Sequence, residues 1–377
     1  MKLRCAFFRT QALHLLACLS SICLLGAPGV AAAADASPAA IQASINYAKQ
    51  NLPAVSPELI RAAAKEGKLM LNHMAWGPEQ AIMLKQFNAA FPFIKVDTSE
   101  GSGGQQLARF QAEAGARRGE GDVFQVSNVA AIDALVAQNA VLKHALGDDA
   151  LFGAGDKSTG YWYSIHNTTP LIAYRKGALT PAELTKLSTW EGALDPVFKG
   201  RVGVPDVSSG GLVVAGYYLF RTRYGKEYFT KLSQNQPKIY VALNPSLDAL
   251  VAGEVDFILM ASVVGSTRHW ANKAPINFIE SSPKWGSQTP QFISAYAPNP
   301  NAAKLYQEWS FSKPVQELWQ KLVGAPSARK GVADTRPYIK EPWFKSVSET
   351  TAIDWDQVGK NQKLIFEEFN QSLKKRK

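Results

Sequence analysis

The sequence has 377 residues and a formal net charge of +10, with 41 lysines and arginines against 31 acidic residues. A chain of this length usually exceeds a single hydrophobic core, which predicts two lobes. Of the net charge of +10, the first nine residues contribute +3 and the last four contribute +4, which leaves +3 for the body of the chain. So small an excess, without a clustered basic face, excludes nucleic acid as an expected partner.

The N-terminal segment has the three parts of a secretory signal peptide. Basic residues precede an apolar run from Ala12 to Val30, which ends in small residues. We predict that residues 1–33 are removed and that the mature protein is periplasmic. All three cysteines of the sequence fall within this leader: Cys5, Cys18 and Cys23. Disulfides and cysteine metal ligands are therefore not expected in the mature chain.

Beyond the leader, the hydrophobic pattern alternates between strands and helices. Residues 68–72 predict a buried strand, and the helix after it carries apolar side chains at helical spacing. Further strands are predicted at 93–99 and 121–128, with helices that begin near Gln105 and Val129. This alternation indicates α/β layers with mainly parallel sheets.

The same alternation reappears in the second half of the chain. The predicted elements there are strands at 201–205 and 254–261, and helices at 212–225, 247–252, 301–311 and 313–324. Between the two blocks lie extended segments at 160–179 and 276–299, which contain aromatic residues and prolines. We predict that these two segments cross between the lobes.

Two loops rich in serine and glycine lie directly before predicted helices. They are Ser102, Gly103, Gly104 and Gln105 in the first block, and Ser208, Ser209, Gly210 and Gly211 in the second. Unpaired amides at the positive end of a helix dipole suit a bound anion. Each loop taken alone is equally explained as a helix N-cap without a ligand. Because ligands of open α/β sheets lie at the carboxyl ends of strands, two such loops facing one another predict a cleft.

Motifs for catalysis are missing from the sequence. It contains no G-x-S-x-G and no H-E-x-x-H, and four histidines are dispersed beyond the leader: His73, His144, His166 and His269. We therefore predict a binding protein with no catalytic residues, no cofactor and no resident metal. A secreted hydrolase with dispersed catalytic residues is the alternative from another functional class.

Several stretches, in their order along the chain, resemble the periplasmic solute-binding proteins of ABC importers. They are EGKLMLN, FNAAFPFIKVDTSEGSGGQQLARFQAEA, GDVFQVSN, KGRVGVPDVSSGG, LVAGEVDFILMAS, NPNAAKLYQEWSFSKPVQELW and PSAR, from Glu66 to Arg329. The branch they resemble includes binders of ferric ion, polyamines, thiamine, phosphonates and sugar phosphates. The resemblance implies a two-lobed type II periplasmic binding protein fold, in which two crossover hinge segments let the lobes close over a ligand.

This resemblance, together with the predicted elements, gives a domain assignment. Residues 34–165 plus 290–345 are predicted to form the first lobe, 166–289 the second, and 346–377 a C-terminal helical extension with a basic tail. The extension is expected to pack Ile365, Phe366 and Phe369 onto a lobe. The protein is expected to be a monomer that contacts an inner-membrane ABC permease transiently, with a chemoreceptor or sensor kinase as the alternative partner.

The resemblance also bears on the nature of the ligand. Ferric-ion binders of this branch typically carry adjacent tyrosines after the strand that here is GEVDFILMA. This sequence has Ala261-Ser262-Val263-Val264-Gly265 at that place, and valine cannot coordinate a metal. We therefore predict a small organic anion, which is a phosphonate, a phosphate ester or a carboxylate. A ferric ion or ferric chelate held by non-standard ligands is the alternative.

The candidate ligand-binding residues are the polar, cationic and aromatic residues of the predicted cleft. They are Trp76, Ser102, Gly103, Gly104, Gln105, Ser127, Asn128, Tyr163, Ser208, Ser209, Gly210, Ser262, Arg268, His269 and Trp285. Serines and backbone amides suit the oxygens of an anion, and an arginine forms paired charge-assisted hydrogen bonds to two of them. Tryptophans would flank an organic moiety. The alternatives are that the tryptophans are packing residues and that Arg268 is an ion-pair partner.

Overall fold

The computed structural model describes residues 36–374, without the side chain of Ala130. Residues 36–374 belong to one compact unit. The predicted signal peptide and the last three residues of the predicted basic tail lie outside the described residues. No helix between residues 36 and 374 is long and apolar enough to cross a membrane.

The first lobe is built on a six-stranded sheet. Its strands are β1 (Lys68–His73), β2 (Lys95–Glu100), β3 (Val123–Gln125), β4 (Lys157–Ser158), β5 (Trp162–Thr168) and β11 (Ser287–Ile293). They lie in the order β2-β1-β3-β11-β5-β4. β1 pairs in parallel with β2 and β3, whereas β11 pairs antiparallel with both of its neighbours.

The second lobe is built on a five-stranded sheet. Its strands are β6 (Pro170–Arg175), β7 (Val202–Pro205), β8 (Lys238–Tyr240), β9 (Phe257–Ser262) and β10 (Ile276–Ile279). They lie in the order β10-β6-β9-β7-β8, with β7 parallel to β8 and β9 and with β6 antiparallel to both of its neighbours. Both sheets are thus mixed, which corrects the prediction of mainly parallel sheets. The difference arises because the crossover segments themselves contribute antiparallel strands.

The two predicted crossover segments are confirmed. The chain leaves the first sheet after Thr168 and enters the second at Pro170, and it returns between Ile279 and Ser287. The predicted divisions between the lobes, after residues 165 and 289, fall within β5 and β11, and both of these strands belong to the first sheet.

Helices cover the faces of both sheets. The α-helices of the described residues are α1 (Pro38–Asn51), α2 (Pro57–Glu66), α3 (Gly77–Ala90), α4 (Gly103–Ala116), α5 (Val129–Ala137), α6 (Pro181–Lys186), α7 (Gly211–Tyr224), α8 (Tyr228–Gln234), α9 (Leu243–Val251), α10 (Val263–Ala271), α11 (Pro300–Ser310), α12 (Lys313–Val323) and α13 (Trp355–Phe369). α3, α4 and α5 follow β1, β2 and β3, and α7, α9 and α10 follow β7, β8 and β9. Six helices therefore begin near the carboxyl ends of parallel strands.

The largest hydrophobic core contains residues of both lobes. Leu71 and Ile165 from the first sheet belong to the same buried cluster as Ile258 and Phe278 from the second. Helix α12 contributes to this continuity because it packs against α3 in the first lobe and α10 in the second. The lobes are consequently joined by shared apolar packing as well as by the crossover strands.

A second core lies entirely in the second lobe, around α7, and it receives the C-terminal helix. Ile365 and Phe369 are buried in this core, and Phe366 packs against it while partly exposed. The predicted packing of the extension onto a lobe is confirmed by these contacts.

Candidate functional site

Three loops of the first lobe meet at the carboxyl ends of β2, β1 and β3. In the sheet register His73 lies opposite Glu100, and Asn72 lies opposite Phe124, so these strands end side by side. A methyl group added to Gly103 would lie 2.5 Å from Ser127 Oγ and 3.3 Å from Met74 Cε. The structure therefore brings two predicted residues, Gly103 and Ser127, into direct contact. Met74 was not predicted.

Ser102 is the N-cap of α4, and it forms a capping box with Gln105. The Gln105 amide donates to Ser102 Oγ at 3.2 Å, and the Ser102 amide donates to Gln105 Oε1 at 2.7 Å. The side chains of Ser102 and Gln105 therefore cap α4, as the alternative without a ligand predicted for this loop. Within residues 36–374, however, the amides of Gly103 and Gly104 donate to no protein acceptor. Two first-turn donors of α4 are thus left for an outside acceptor.

The adjoining loop of the first lobe is capped in a similar way. Asn128 begins α5, and its Oδ1 accepts a hydrogen bond from the Ala131 amide at 3.0 Å. This bond engages the side chain of Asn128 with its own helix. Ser127 is the residue of this pair that lies against the first turn of α4.

The corresponding loop of the second lobe, Asp206 to Gly210, is held by a buried carboxylate. Asp206 Oδ1 accepts from the Ser208 amide at 2.9 Å and from Ser208 Oγ at 2.7 Å, and Ser209 Oγ donates to the Val241 carbonyl at 3.2 Å. Both predicted serine hydroxyls therefore already donate to protein oxygens. Among the described residues, the first-turn amides of Gly211 and Leu212 in α7 have no acceptor.

Asp206 is a residue that the sequence analysis missed. Its side chain is almost completely buried, and its second oxygen, Oδ2, forms an ion pair with Lys374. Burial acts to raise the pKa of Asp206, but the hydrogen bonds from Lys374 and Ser208 outweigh burial, and the pKa is lowered. The signal available in the sequence was the Asp-x-Ser pattern, since an aspartate side chain commonly hydrogen-bonds the backbone two residues further on.

Ser262 follows a distorted part of β9. Pairing with β6 shifts register between Leu171 and Ala173, and Met260 has φ of 59° although it is buried and not glycine. Such a bulge bends a strand and re-aims the residues after it. Ser262 then caps α10, because its Oγ accepts from the Gly265 amide at 3.3 Å.

Arg268 links the two lobes through an ion pair with Glu79. Its Nε and Nη2 donate to Oε1 and Oε2 of Glu79 at 2.8 and 2.6 Å. Glu79 lies in the first turn of α3 in the first lobe, and its side chain is only 6% exposed. The hydrogen bond to Glu79 raises the pKa of Arg268. In this structure the paired donors of Arg268 are engaged by Glu79, which is the ion-pair alternative for this residue. No sequence pattern pointed to this pairing.

Two predicted tryptophans lie inside hydrophobic cores. Trp76 is 6% exposed, and its ring centroid lies 5.0 Å from that of His166 and 5.5 Å from that of Trp319. Trp285 is 1% exposed and packs 4.7 Å from Trp190. In this structure aromatic side chains surround both indole rings, which is the packing alternative for these two residues.

Tyr163 is also a core residue in the structure. Its hydroxyl donates to Asp149 Oδ1 at 2.7 Å and accepts from the amides of Leu146 and Gly160. Burial, followed by the hydrogen bond to Asp149, raises the pKa of Tyr163 to about 12. All of these partners belong to the first lobe.

His269 lies next to Arg268 on α10 but contacts a different helix. Its Nε2 is 3.3 Å from Asp248 Oδ1 on α9. Within residues 36–374, no three His, Cys, Asp or Glu side chains come together in an arrangement that would hold a metal ion.

Solved structures share this fold over nearly their whole length. Iron-bound HitA from Pseudomonas aeruginosa aligns with a TM-score of 0.65 at 17% identity, over 79% of this chain and 99% of that one. A substrate-binding protein of an ABC transporter from Agrobacterium tumefaciens aligns with a TM-score of 0.66 at 16% identity, over 80% and 94%. AfuA from Actinobacillus pleuropneumoniae, with fructose-6-phosphate bound, aligns with a TM-score of 0.62 at 16% identity, over 82% and 99%. The fold is therefore that of the type II periplasmic binding proteins.

A match to a family model identifies the family of the chain as well as its fold. The search of curated proteins finds no match to the chain. The model of bacterial extracellular solute-binding proteins matches residues 81–322, which is more than half of the chain and includes the candidate loops of both lobes. The chain therefore belongs to the bacterial extracellular solute-binding proteins, which bind a solute and are not enzymes.

Proposed function

We propose that this protein is the periplasmic substrate-binding component of an ABC importer and captures a small organic anion. The ligand class is a phosphonate, a phosphate ester or a carboxylate. The ligand would be bound between the lobes as they close and would then be delivered to an inner-membrane permease. The protein acts as a monomer in this proposal, after removal of residues 1–33.

The observation that carries the anion proposal is the pair of unpaired amides at the start of α4. Gly103 and Gly104 have no protein acceptor among the described residues, and the Ser127 hydroxyl lies beside them. Amides at this end of a helix stabilise negative charge, because the helix dipole is positive there. A hydroxyl next to them adds a further donor to an anionic oxygen.

The second lobe supports the same proposal with a matching feature. The amides of Gly211 and Leu212 at the start of α7 also lack an acceptor within residues 36–374. The ion pair between Arg268 and Glu79 shows that helices from the carboxyl edges of the two sheets reach each other. A ligand that bridges α4 and α7 would stabilise the closed arrangement over the open one.

The neighbours in fold provide probes for the experiment. One has fructose-6-phosphate bound and another has iron bound. We would measure thermal unfolding of the protein with fructose 6-phosphate, methylphosphonate, acetate, spermidine and ferric citrate. An anion at a hundred times its dissociation constant would add about 2.7 kcal/mol to the free energy of unfolding. A shift with ferric citrate and none with citrate free of iron would overturn the anion proposal, as would a shift with spermidine alone.

Two neighbouring glycines offer a matched pair of variants. In Gly103→Ala the new methyl group would press on Ser127 Oγ, whereas in Gly104→Ala it would lie 4.0 Å from the closest side-chain atom, Ser102 Oγ. We expect Gly103→Ala to lower the affinity for the anion by about tenfold or more, which corresponds to 1.4 kcal/mol, and Gly104→Ala to retain it. Equal affinity in both variants would remove the start of α4 from the binding site.

A further inference from the structure

The C-terminal segment, residues 345–374, is attached to the second lobe along its whole length. Near its start, the Val347 amide donates to Glu280 Oε2 at 3.0 Å, and the Thr351 amide donates to the Lys284 carbonyl at 2.8 Å. Glu280 and Lys284 lie in the second crossover, between β10 and β11. The family model ends at residue 322, so this segment is an addition to the part that the model describes.

Helix α13 of this segment packs on α7, the helix that follows the second-lobe loop. The ring centroids of Phe369 and Tyr217 are 5.0 Å apart, and Arg221 Nε donates to Glu368 Oε2 at 2.7 Å. Phe369 is fully buried. The end of α13 is therefore fixed on α7 by apolar packing and by an ion pair.

The segment contacts the second-lobe loop at both of its ends. At one end, a methyl group added to Gly211 would lie 3.9 Å from Trp355 Cζ3, so the tryptophan lies against the first residue of α7. At the other end, the Lys374 ammonium pairs with the Asp206 carboxylate. The residues between these contacts form the loop that leads into the first turn of α7, which the proposed function places at the ligand.

Asp206 transmits the contact with Lys374 to the loop. One of its oxygens binds Lys374, and the other accepts both hydrogen bonds from Ser208. Asp206 is 4% exposed, so its charge is held away from water. When a buried carboxylate loses its partner cation, the unpaired charge destabilises the folded conformation around it. This cost favours a rearrangement of the carboxylate. Any rearrangement would carry Ser208 with it.

We propose that Lys374 is a positioning residue, which holds the second-lobe loop in its ligand-binding conformation through Asp206. The apolar face of α13 anchors the C-terminal segment on the second lobe. The ion pair between Lys374 and Asp206 fixes the conformation of the second-lobe loop. The effect of Lys374 on ligand affinity rests on the proposed function, whereas its effect on the loop conformation does not.

The experiment compares three lysine variants of the protein. Lys374→Met removes the charge and keeps most of the side-chain volume, and Lys374→Arg restores the charge. Lys363→Met is the matched control, because Lys363 is a 90% exposed lysine of α13 whose ion pair is with Glu367 of the same helix. Hydrogen exchange of residues 206–212 is measured without ligand, and affinity for fructose 6-phosphate is measured by calorimetry.

We expect exchange at residues 206–212 to be about fivefold faster in Lys374→Met than in the unmodified protein, with normal exchange in α13. Lys374→Arg should return the loop to its slow exchange, and Lys363→Met should not change it. If fructose 6-phosphate binds, its apparent affinity should fall as the fraction of molecules that hold the competent loop falls.

Two results would overturn the inference. One is unchanged exchange in the loop of Lys374→Met, or faster exchange spread equally over α7 and α13, which would indicate general loosening. The other is a mobile loop with undiminished affinity for fructose 6-phosphate. Failure of every anion to bind the unmodified protein would count against the proposed function alone, since the exchange measurement needs no ligand.

Discussion

His166 is a neutral histidine enclosed at the end of the first crossover strand. Its Nδ1 accepts from Trp319 Nε1 at 2.9 Å, and its Nε2 lies 2.9 Å from Thr168 Oγ1. Complete burial lowers the pKa of His166 to about 3. The side chain therefore links α12 to β5 as an uncharged hydrogen-bonding group.

This environment predicts a loss of stability in mild acid. Below pH 6.5 the unfolded chain takes up a proton at His166, whereas the folded chain stays neutral until about pH 3. The stabilisation is complete above pH 6.5 and declines as pH falls toward 3, by about 2 kcal/mol at pH 5. Urea unfolding at pH 7 and at pH 5 measures this loss in the free energy of unfolding.

A pair of histidine variants separates this effect from other titrations. His166→Gln should be less stable at pH 7 and should change less in stability between pH 7 and pH 5. His269→Gln is the control, because that imidazole is partly open to solvent, and it should retain the dependence of the unmodified protein. The same pH dependence in His166→Gln as in the unmodified protein would contradict the assignment.

At the scale of residues, sequence patterns predicted loops better than side-chain roles. Ser102 and Gly103 lie where a serine–glycine loop before a helix suggested, because capping is a local interaction. Tyr163 and Trp285 were assigned to the cleft but lie in cores. Their burial depends on residues far away in sequence, such as Phe311 and Trp190, and no local pattern contains that information.

Helix α12 packs against helices of both lobes, and its end is closely fitted to α10. It ends at Gly324, which has φ of 68°, and a methyl group there would overlap Thr267 Oγ1 of α10. The Gly324 carbonyl also accepts a hydrogen bond from the Tyr338 hydroxyl. A residue with a side chain cannot occupy this position without moving one lobe relative to α12.

Alanine at this position should therefore destabilise the protein by more than its backbone conformation explains. Gly177 provides the control, since its φ is 75° and no atom lies within 4 Å of an added methyl group. We expect Gly177→Ala to cost about 1 kcal/mol and Gly324→Ala about 3 kcal/mol or more, measured by urea unfolding. Equal losses would show that α10 yields to the methyl group.

At the scale of elements, the sequence predicted the alternation of strands and helices. It did not predict that each sheet combines parallel and antiparallel strand pairs. Strands β1, β2, β7 and β9 and the helices after them follow from hydrophobic periodicity, which is local. The three-residue strand β8 is too short to show a period. The place of β11 between β3 and β5 depends on pairing over more than a hundred residues, which no periodicity reveals.

The ion pair between Arg268 and Glu79 is a polar contact that connects the two lobes of the molecule. Arg268 and Glu79 form two parallel hydrogen bonds from α10 to α3, and Glu79 is almost fully buried by the contact. Removal of one partner leaves a buried charge unpaired, whereas removal of both does not.

We expect Arg268→Met to lower the free energy of unfolding by about 3 kcal/mol and to increase the radius of gyration in solution scattering. The double variant Arg268→Met, Glu79→Gln should recover part of the stability, because no carboxylate is then left buried. If the double variant is as unstable as the sum of the two single variants, the pair is not coupled. Arg221→Gln, which breaks a pair within the second lobe, is the control and should leave the radius unchanged.

The strand order also fixes when each lobe is able to form during folding. β11 lies in the middle of the first sheet, yet it follows every strand of the second sheet along the chain. The partial sheet β2-β1-β3 and the pair β5-β4 stay apart until β11 enters between them. Pairings of such large sequence separation are slow, because a long stretch of chain must first be ordered or looped out. The first sheet, which begins first along the chain, is thus completed only after every strand of the second sheet, and the core of the second lobe is completed later still by α13.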